Sequence, residues 1–568
     1  MTCVFDHPEE FATTALAGFA SVYSRAVWLV NGGVVRSTAT PEGKVAIVVG
    51  GGSGHYPAFA GFVGPGLADA AVAGDIFASP STHLAVNVCR KAHRGGGVLL
   101  GFGKYAGDLL NFGLAAERLI SEGIDVRLLP VTDDVASAPP EKAGERRGVA
   151  GDLAVFKIAG AAAEAGLNLD EVERVAIKAN KATVSFGVAF SGCTLPGARE
   201  PLFTVPPQRI GVGLGIHGEP GISEVDLIPA SELARMLVDK LVVEKPAGSN
   251  GRVAVILNGL GNTKYEELFV LWVGVEAELK KAGLTPVEPE VGEYVTSLDM
   301  AGCSLTLTWL DDELEELWRA PSDAPVLRRG AIIPRQAVPA PLDQEEELKF
   351  GPASAVSKED GQCVARVLAK VAAALREAEA ELGRIDARAG DGDHGQGMTR
   401  GSAAAVEGAQ KAVAAGAGAA SVLAAAANAW ADRAGGASGA LWGLALRTWS
   451  GKLSDEAKLS AEAVAKGAQA GLEAIMRLGG AKLGDKTLVD AFVPFVNALK
   501  EEVAKAKPLA DAWALAAEAA TRAAEATKQL TPKLGRAKSH TQRSLGHPDA
   551  GAVSLALCAR VVAEAIKG

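Results

Sequence analysis

The sequence predicts a two-domain protein, an α/β domain followed by an all-helical one, and three observations carry that reading. Over residues 1–330, short apolar runs that end at glycines alternate with helix-patterned segments, as in α/β domains. Residues 331–358, AIIPRQAVPAPLDQEEELKFGPASAVSK, hold four prolines and a charge cluster, the composition of a linker. From 359 to 568 the chain turns to Ala, Glu, Lys and Leu at helical spacing, with almost no strand-like runs.

Within the first domain, the runs KVAIVVGGG (44–52), GGVLLGFG (96–103), DVRLLPV (125–131), RIGVGLGIHG (209–218) and RVAVILNGLG (252–261) read as buried strands. Segments such as AAERLISE (115–122) and EELFVLWVGVEAELKKAG (266–283) read as helices between them. In the second domain, residues 412–431 carry no charge over a span-like length. They are mostly Ala and Gly with an Asn, too weakly apolar for a membrane, and are expected to form a buried helix.

Bulk properties narrow the function. The 568 residues are 48 % hydrophobic, ample for packed cores, and the net charge is −10. An acidic chain without a basic block disfavours nucleic acid and anionic membranes as partners and favours small molecules. Six scattered cysteines without a CxxC pair suggest reduced thiols. The start MTCVFDHPEE carries acids where a secretory signal needs basic residues. A cytoplasmic location is expected.

The most informative stretch of the helical domain is GRIDARAGDGDHGQGMTRG (383–401). Asp386, Asp391 and Asp393 converge if a helix ends near Asp386 and the glycines then turn the chain. Carboxylates so close repel one another unless a hard divalent cation neutralises them. Mg²⁺ suits such a set, because it takes few carboxylates and leaves sites for phosphate oxygens. The following HGQG offers backbone N–H groups to phosphate. The alternative is a solvated Asp/Gly turn. An EF-hand loop does not fit, since its Glu at the twelfth position and its flanking helices are missing. GGASGALWG (435–443) is a second glycine-rich turn that enters a helix, suited either to a phosphate or to close helix packing. LGDKT (483–487) and GRAKSHTQRSLGHPDAGA (535–552) add further polar, glycine-rich loops.

Together GDGDHGQGM…RG, GGASGALWG and RSLGHPDAGA resemble the nucleotide-binding domain of the ATP-dependent dihydroxyacetone kinase family. The resemblance implies an eight-helix barrel that binds ATP through two Mg²⁺ ions held by Asp386, Asp391 and Asp393. It also implies nucleotide contacts from His394, Gly395, Gln396, Gly397, Ala437, Ser438, Arg536, Asp549, Ala550 and Gly551.

In the α/β half, GGGSGHYPAFAGFVGPG (50–66) follows a strand, lacks the GK[ST] of a phosphate-binding P-loop, and places His55 in a glycine-rich turn. GFGKYAGDLLNFGLAAERL (101–119) places Asp108 after another strand, and GIHGEPG (215–221) frames His217. Each residue alone is as well explained by structure. Three glycine-framed polar residues at strand ends are a ligand-site pattern.

These segments, with SGCTLPG (191–197) and TSLDMAGCSLTLTWLDDELEELW (296–318), resemble the substrate domain of the same family, so the likeness covers nearly the whole chain. It implies an α/β substrate domain of two subdomains. It also implies a small ketose held as a hemiaminal on His217, with His55 and Asp108 deprotonating the terminal hydroxyl. Gly52, Ser53, Gly54 and Lys104 would contact the substrate, and the enzyme would be a homodimer. Two positions depart from the family's usual GGGSGHEP and KNYTGD: Tyr56 replaces a Glu, and Gly103 stands where a Lys is expected. GFGKYAGD looks like the variant of members that act on four-carbon ketoses such as erythrulose, with Tyr56 offering its phenol to the extra hydroxyl. Two other readings compete: a lyase that cyclises FAD on the nucleotide domain, and a ketose-sensing regulator.

Overall fold

The computed structural model describes residues 2–219, 221–331, 339, 350–390, 392–534 and 541–567. The chain divides into two compact units, Met1–Asp343 and Gln344–Gly568. Of the expected linker, residues 332–338 and 340–349 lie outside the described residues, and its last residues already belong to the helix Ala355–Glu377.

Among the described residues the first unit holds two large sheets and a two-stranded ribbon of Ser322–Asp323 with Arg328–Arg329. Strands β1 (Val27–Val30), β2 (Gly33–Arg36), β3 (Ala46–Ser53), β4 (Ala70–Ile76), β5 (Val98–Gly103) and β6 (Val126–Val131) form a sheet in the order β1-β2-β4-β3-β5-β6. β4, β3, β5 and β6 are parallel, and β1 and β2 add an antiparallel edge. The continuous apolar runs at 44–52 and 96–103 are explained by burial on both faces. Alternate residues of β3 serve opposite layers, as a strand's period of two requires. Ala46 and Val48 pack with the helices Thr82–Ala92 and Ala106–Ser121, whereas Ile47 and Val49 pack with Gly151–Glu164 and Leu169–Lys181. Ser81 caps the first of these helices, and Asn168 with Glu171 forms a capping box on the last.

The second sheet comprises β7 (Thr183–Ala189), β8 (Arg209–Val212), β9 (Ser223–Asp226), β10 (Arg252–Gly259), β11 (Thr285–Pro286), β12 (Glu290–Gly292) and β13 (Gly302–Trp309). Its order is β11-β10-β13-β7-β8-β9, with β12 beside β10, and its centre is antiparallel. The helices Ala230–Val242 and Tyr265–Lys281 cover one face. Gly151–Glu164 packs against strands of both sheets and is buried over nearly its whole length. This close approach requires Gly160, whose Cβ would overlap the Leu67 carbonyl oxygen.

In the second unit, eight helices close a ring: Ala355–Glu377, His394–Ala414, Ala419–Ala434, Gly436–Ser450, Ala461–Gly479, Val489–Ala504, Leu509–Ala526 and Ala550–Ala565. Each packs on the next and the last packs on the first. The uncharged stretch 412–431 is therefore two helices rather than one. The chain turns at 415–418, where Gly416 has φ +76°, a conformation that favours glycine. Among the described residues no helix is long and apolar enough to cross a membrane. Sequence-adjacent helices in such a ring run antiparallel. Those that start at His394, Gly436, Val489 and Ala550 therefore begin at one mouth.

Candidate active site

In the first unit the site is built at the carboxyl ends of β3 and β5, where α/β sheets bind ligands. The glycines of β3 let other backbone come close: a Cβ on Gly52 would lie 2.8 Å from the Ala78 nitrogen. Ser53 donates to the Gly74 carbonyl (2.7 Å), and Gly54 adopts φ +101°. The loop that follows is stitched to segment 296–298, with Thr296 N–H donating to the His55 carbonyl and Leu298 N–H to that of Gly54.

This stitching delivers His55, 2 % exposed, to His217. The two Nε2 atoms lie 3.0 Å apart. His55 Nδ1 faces the Thr296 carbonyl at 2.7 Å and must donate to it, so its Nε2 is the lone-pair end. Burial, and then the neighbouring His217, push the His55 pKa down to about 3, which keeps the ring neutral. His217 Nδ1 lies 3.0 Å from Glu219 Oε1, and Glu219 Oε2 accepts the His217 backbone N–H at 3.0 Å. With Nδ1 donating to the carboxylate, Nε2 of His217 is also a lone-pair end. Two lone pairs cannot face each other at this distance, so the contact needs one proton between the rings. A nitrogen so oriented can add to a carbonyl.

Three side chains that motif reading did not single out hold this pair. Phe77, at the left-handed φ of +54°, stacks on His55 (5.0 Å) and meets His217 edge-on (5.2 Å). The Tyr105 ring meets His217 edge-on at 4.7 Å. Arg147 binds Asp134 at 2.7 Å and reaches toward Glu219. Glu219 was within the quoted GIHGEPG and could have been found as a carboxylate two residues from a histidine. Phe77 and Arg147 carry no local signal.

Asp108 is buried in the first turn of Ala106–Ser121, directly after β5. Asp133 and Asp152 are buried in the same region. Asp133 accepts the backbone N–H groups of Val149 and Gly151 (both 2.8 Å), yet burial raises its pKa to about 6. Burial, with Asp133 and Asp108 nearby, holds Asp152 protonated well above the usual carboxylate range. The Lys104 ammonium donates to the Gly144 carbonyl. Tyr56 does not offer its phenol as expected. It is 52 % exposed, its ring lies on Phe19 (5.9 Å), and its hydroxyl is engaged with Tyr23.

In the second unit the expected nucleotide residues gather at one mouth of the ring. His394 opens its helix, with Nε2 2.9 Å from Ser554 Oγ and Nδ1 3.4 Å from Ser438 Oγ. Ala437 and Ser438 lie in the first turn of Gly436–Ser450, after Gly435 and Gly436 at φ +65° and +59°. Asp549 caps Ala550–Ala565 by accepting the Ala552 N–H (2.7 Å), with Ala550 and Gly551 in that first turn. Burial, and then Asp386 and Asp490, raise the Asp549 pKa to about 7. Asp386 ends the helix Glu379–Asp386 and accepts the Gly392 N–H at 2.9 Å, and Asp393 is the N-cap of His394–Ala414.

The two glycines of HGQG also have uses inside the fold. Gly397 N–H is spent on the Asp393 carbonyl (2.9 Å), and a Cβ on Gly395 would overlap the Glu379 carbonyl, so Gly395 serves helix packing. Gln396 is exposed. Asp391 and Arg536 lie outside the described residues. Among the described residues no three His, Cys, Asp or Glu side chains gather as a metal site. The mouth nevertheless presents several helix N-termini, which favour anions, beside carboxylates, which favour hard cations.

Residues 17–326 match the Dak1 domain and residues 388–564 the DAK2 domain. The chain is 54 % identical to a D-erythrulose kinase of Mycolicibacterium smegmatis, over 100 % of this chain and 99 % of that protein. It is 53 % identical to an L-erythrulose kinase of Pectobacterium atrosepticum, over 98 % and 95 %. The dihydroxyacetone kinase of C. freundii in complex with AMP-PNP and Mg²⁺ covers 99 % of both chains at 30 % identity, with a TM-score of 0.52. With both domain models matched in order, and with a buried histidine pair in one unit and a closed eight-helix ring in the other, the chain belongs to the dihydroxyacetone kinase family.

Proposed function

We propose that the chain is an ATP-dependent kinase of a small ketose, and that a four-carbon ketose is its preferred substrate. The observation that carries the reading is the His55–His217 pair, with His217 aimed by Glu219 so that Nε2 is the end turned toward His55 and away from the carboxylate. In the proposed reaction this nitrogen adds to the ketose carbonyl carbon. The carbonyl π electrons move to oxygen, which takes up the proton that lay between His55 and His217, and Nδ1 passes its proton to Glu219, so that a neutral hemiaminal results. The bond selects for a carbonyl and rejects glycerol, which has none. His55 and Asp108 take the proton of the terminal hydroxyl, whose oxygen attacks the γ-phosphorus as the bond to the ADP oxygen breaks. Reversal of the addition then frees the phosphorylated ketose.

The helical unit would align ATP for this attack. First-turn N–H groups of His394, Gly395 and Gln396, the turn at Ala437–Ser438, and the cap at Asp549–Gly551 would hold the phosphates, with Arg536 adding charge. Mg²⁺ held by Asp386, Asp391 and Asp393 would neutralise charge on the phosphate oxygens, and hard carboxylate donors suit that ion. The family resemblance adds a second Mg²⁺ and a homodimer to this reading. The relatives at 53–54 % identity, a D-erythrulose kinase and an L-erythrulose kinase, support a four-carbon substrate.

The test is coupled ADP release with dihydroxyacetone, D-erythrulose, L-erythrulose and glycerol. ATP consumption that depends on ketose, with an erythrulose enantiomer giving the highest kcat/KM and glycerol inert, is expected. No ketose-dependent ADP release would overturn the kinase reading, and dihydroxyacetone ranking first would overturn the substrate preference.

A further inference from the structure

We propose that Asp152 and Tyr105, beside Gly103, form the subsite for the hydroxyl that a four-carbon ketose carries and dihydroxyacetone lacks. The inference rests on the ketose-kinase reading and assigns its specificity to two side chains outside the histidine pair.

Two polar atoms are buried without a hydrogen-bond partner here: Oδ1 of Asp152 and the hydroxyl of Tyr105. Leaving a buried polar atom unmade costs about 1–3 kcal/mol, so two in one place point to a ligand. Both residues adjoin the reacting groups. The Tyr105 ring touches His217, and the Asp152 carboxyl, 2 % exposed at the start of Gly151–Glu164, acts electrostatically on the Tyr105 hydroxyl. Asp108, the expected base, acts in turn on Asp152.

Gly103 packs closely on the Asp152 carboxyl and puts no side chain on it. It ends β5, and a Cβ there would lie 3.3 Å from Asp152 Oδ2 and 3.2 Å from the Gly148 carbonyl. Any longer side chain at 103 would crowd or engage the Asp152 carboxyl. With glycine, that carboxyl has no competitor from this position. The neighbouring Lys104 does not engage that carboxyl either, and its ammonium donates to the Gly144 carbonyl.

The chemistry fits a hydroxyl. Burial holds Asp152 as a neutral acid, which both donates and accepts, and a phenol does the same. An alcohol needs such partners. Dihydroxyacetone would leave both groups unpaired, and a site built to bond a hydroxyl discriminates strongly against a substrate lacking it.

The experiment measures kcat/KM for the preferred erythrulose enantiomer and for dihydroxyacetone in wild type, Asp152→Ala, Asp152→Asn and Tyr105→Phe, with melting curves for each. The erythrulose-to-dihydroxyacetone ratio is expected to fall at least about tenfold in Asp152→Ala and in Tyr105→Phe. Asp152→Asn keeps a neutral donor and acceptor and should hold the ratio within about threefold. Should Asp152→Ala fail to fold, Tyr105→Phe, which removes a single oxygen, decides. A proportional loss on both substrates, or an unmoved ratio in a folded variant, overturns the subsite. Wild type without ketose-dependent ADP release overturns the kinase reading instead, so the two failures are distinguishable.

Discussion

Replacing Glu219 by Gln isolates the device that aims His217. In the native site one carboxylate oxygen takes the His217 backbone N–H and the other takes Nδ1–H, each at 3.0 Å. A glutamine has one oxygen and one NH₂ and cannot do both. If the oxygen stays on Nδ1–H, the NH₂ meets the backbone N–H, donor against donor. If it stays on the backbone, the NH₂ donates to Nδ1, the ring proton moves to Nε2, and the nucleophilic lone pair is lost. Either way one hydrogen bond to a charged group disappears, worth about 1.5–3 kcal/mol. At about 1.4 kcal/mol per tenfold, kcat/KM for ketose should fall about 10- to 150-fold. Steady-state ADP release with ketose and ATP varied separately is the assay, and the KM for ATP should not move, since no nucleotide group is altered. A kcat/KM within threefold of wild type, or a loss confined to the KM for ATP, would refute the argument.

His55 gives a pH prediction. In the fold its pKa lies at about 3, whereas in the unfolded chain it takes up a proton near 6.5. Its contribution is therefore complete above about pH 6.5 and is lost as pH falls toward 3, at up to about 1.4 kcal/mol per pH unit. Denaturant melts of His55→Gln should show a correspondingly flatter dependence over that window. Gly395→Ala should lower stability by about 1–3 kcal/mol, because the new methyl overlaps the Glu379 carbonyl. A variant that melts like wild type would show that the close approach to Glu379 does not require glycine at 395. Asp393→Asn and Asp391→Asn should each abolish turnover at ordinary Mg²⁺ while melting near wild type, and near-normal rates in both would remove the metal assignment.

The parts of the fold that were legible in sequence are those with continuous or periodic apolar patterns. β3, β5 and β10 stand out because burial on both faces makes them uninterrupted runs. Strands β1 and β2 pair as a hairpin across Asn31–Gly32, a local turn signal that the reading passed over, whereas β4 and the antiparallel centre at β7 and β13 are set by pairing partners more distant in sequence. The helical half was legible from composition, but the stretch 412–431 was not, because Ala and Gly look alike within a helix and in a turn. Only the positive φ of Gly416 separates the two helices. At the site, glycine-framed His55 and His217 were visible as residues, while their contact depends on Thr296 and Ser297 pinning two loops together. Tyr56 misled because adjacency to His55 in sequence said nothing of side-chain direction, and its ring turns toward Phe19 and Tyr23 instead.

Covalent capture by His217 is the claim on which the account turns, and ¹³C NMR of a ketose labelled at the carbonyl carbon tests it most directly. With wild-type protein in excess, the bound carbon should leave the carbonyl region for the tetrahedral region. The shifted signal should be absent with His217→Ala, which controls for simple hydration of the ketone. A bound ketose whose labelled carbon stays in the carbonyl region in the wild-type protein would contradict the account.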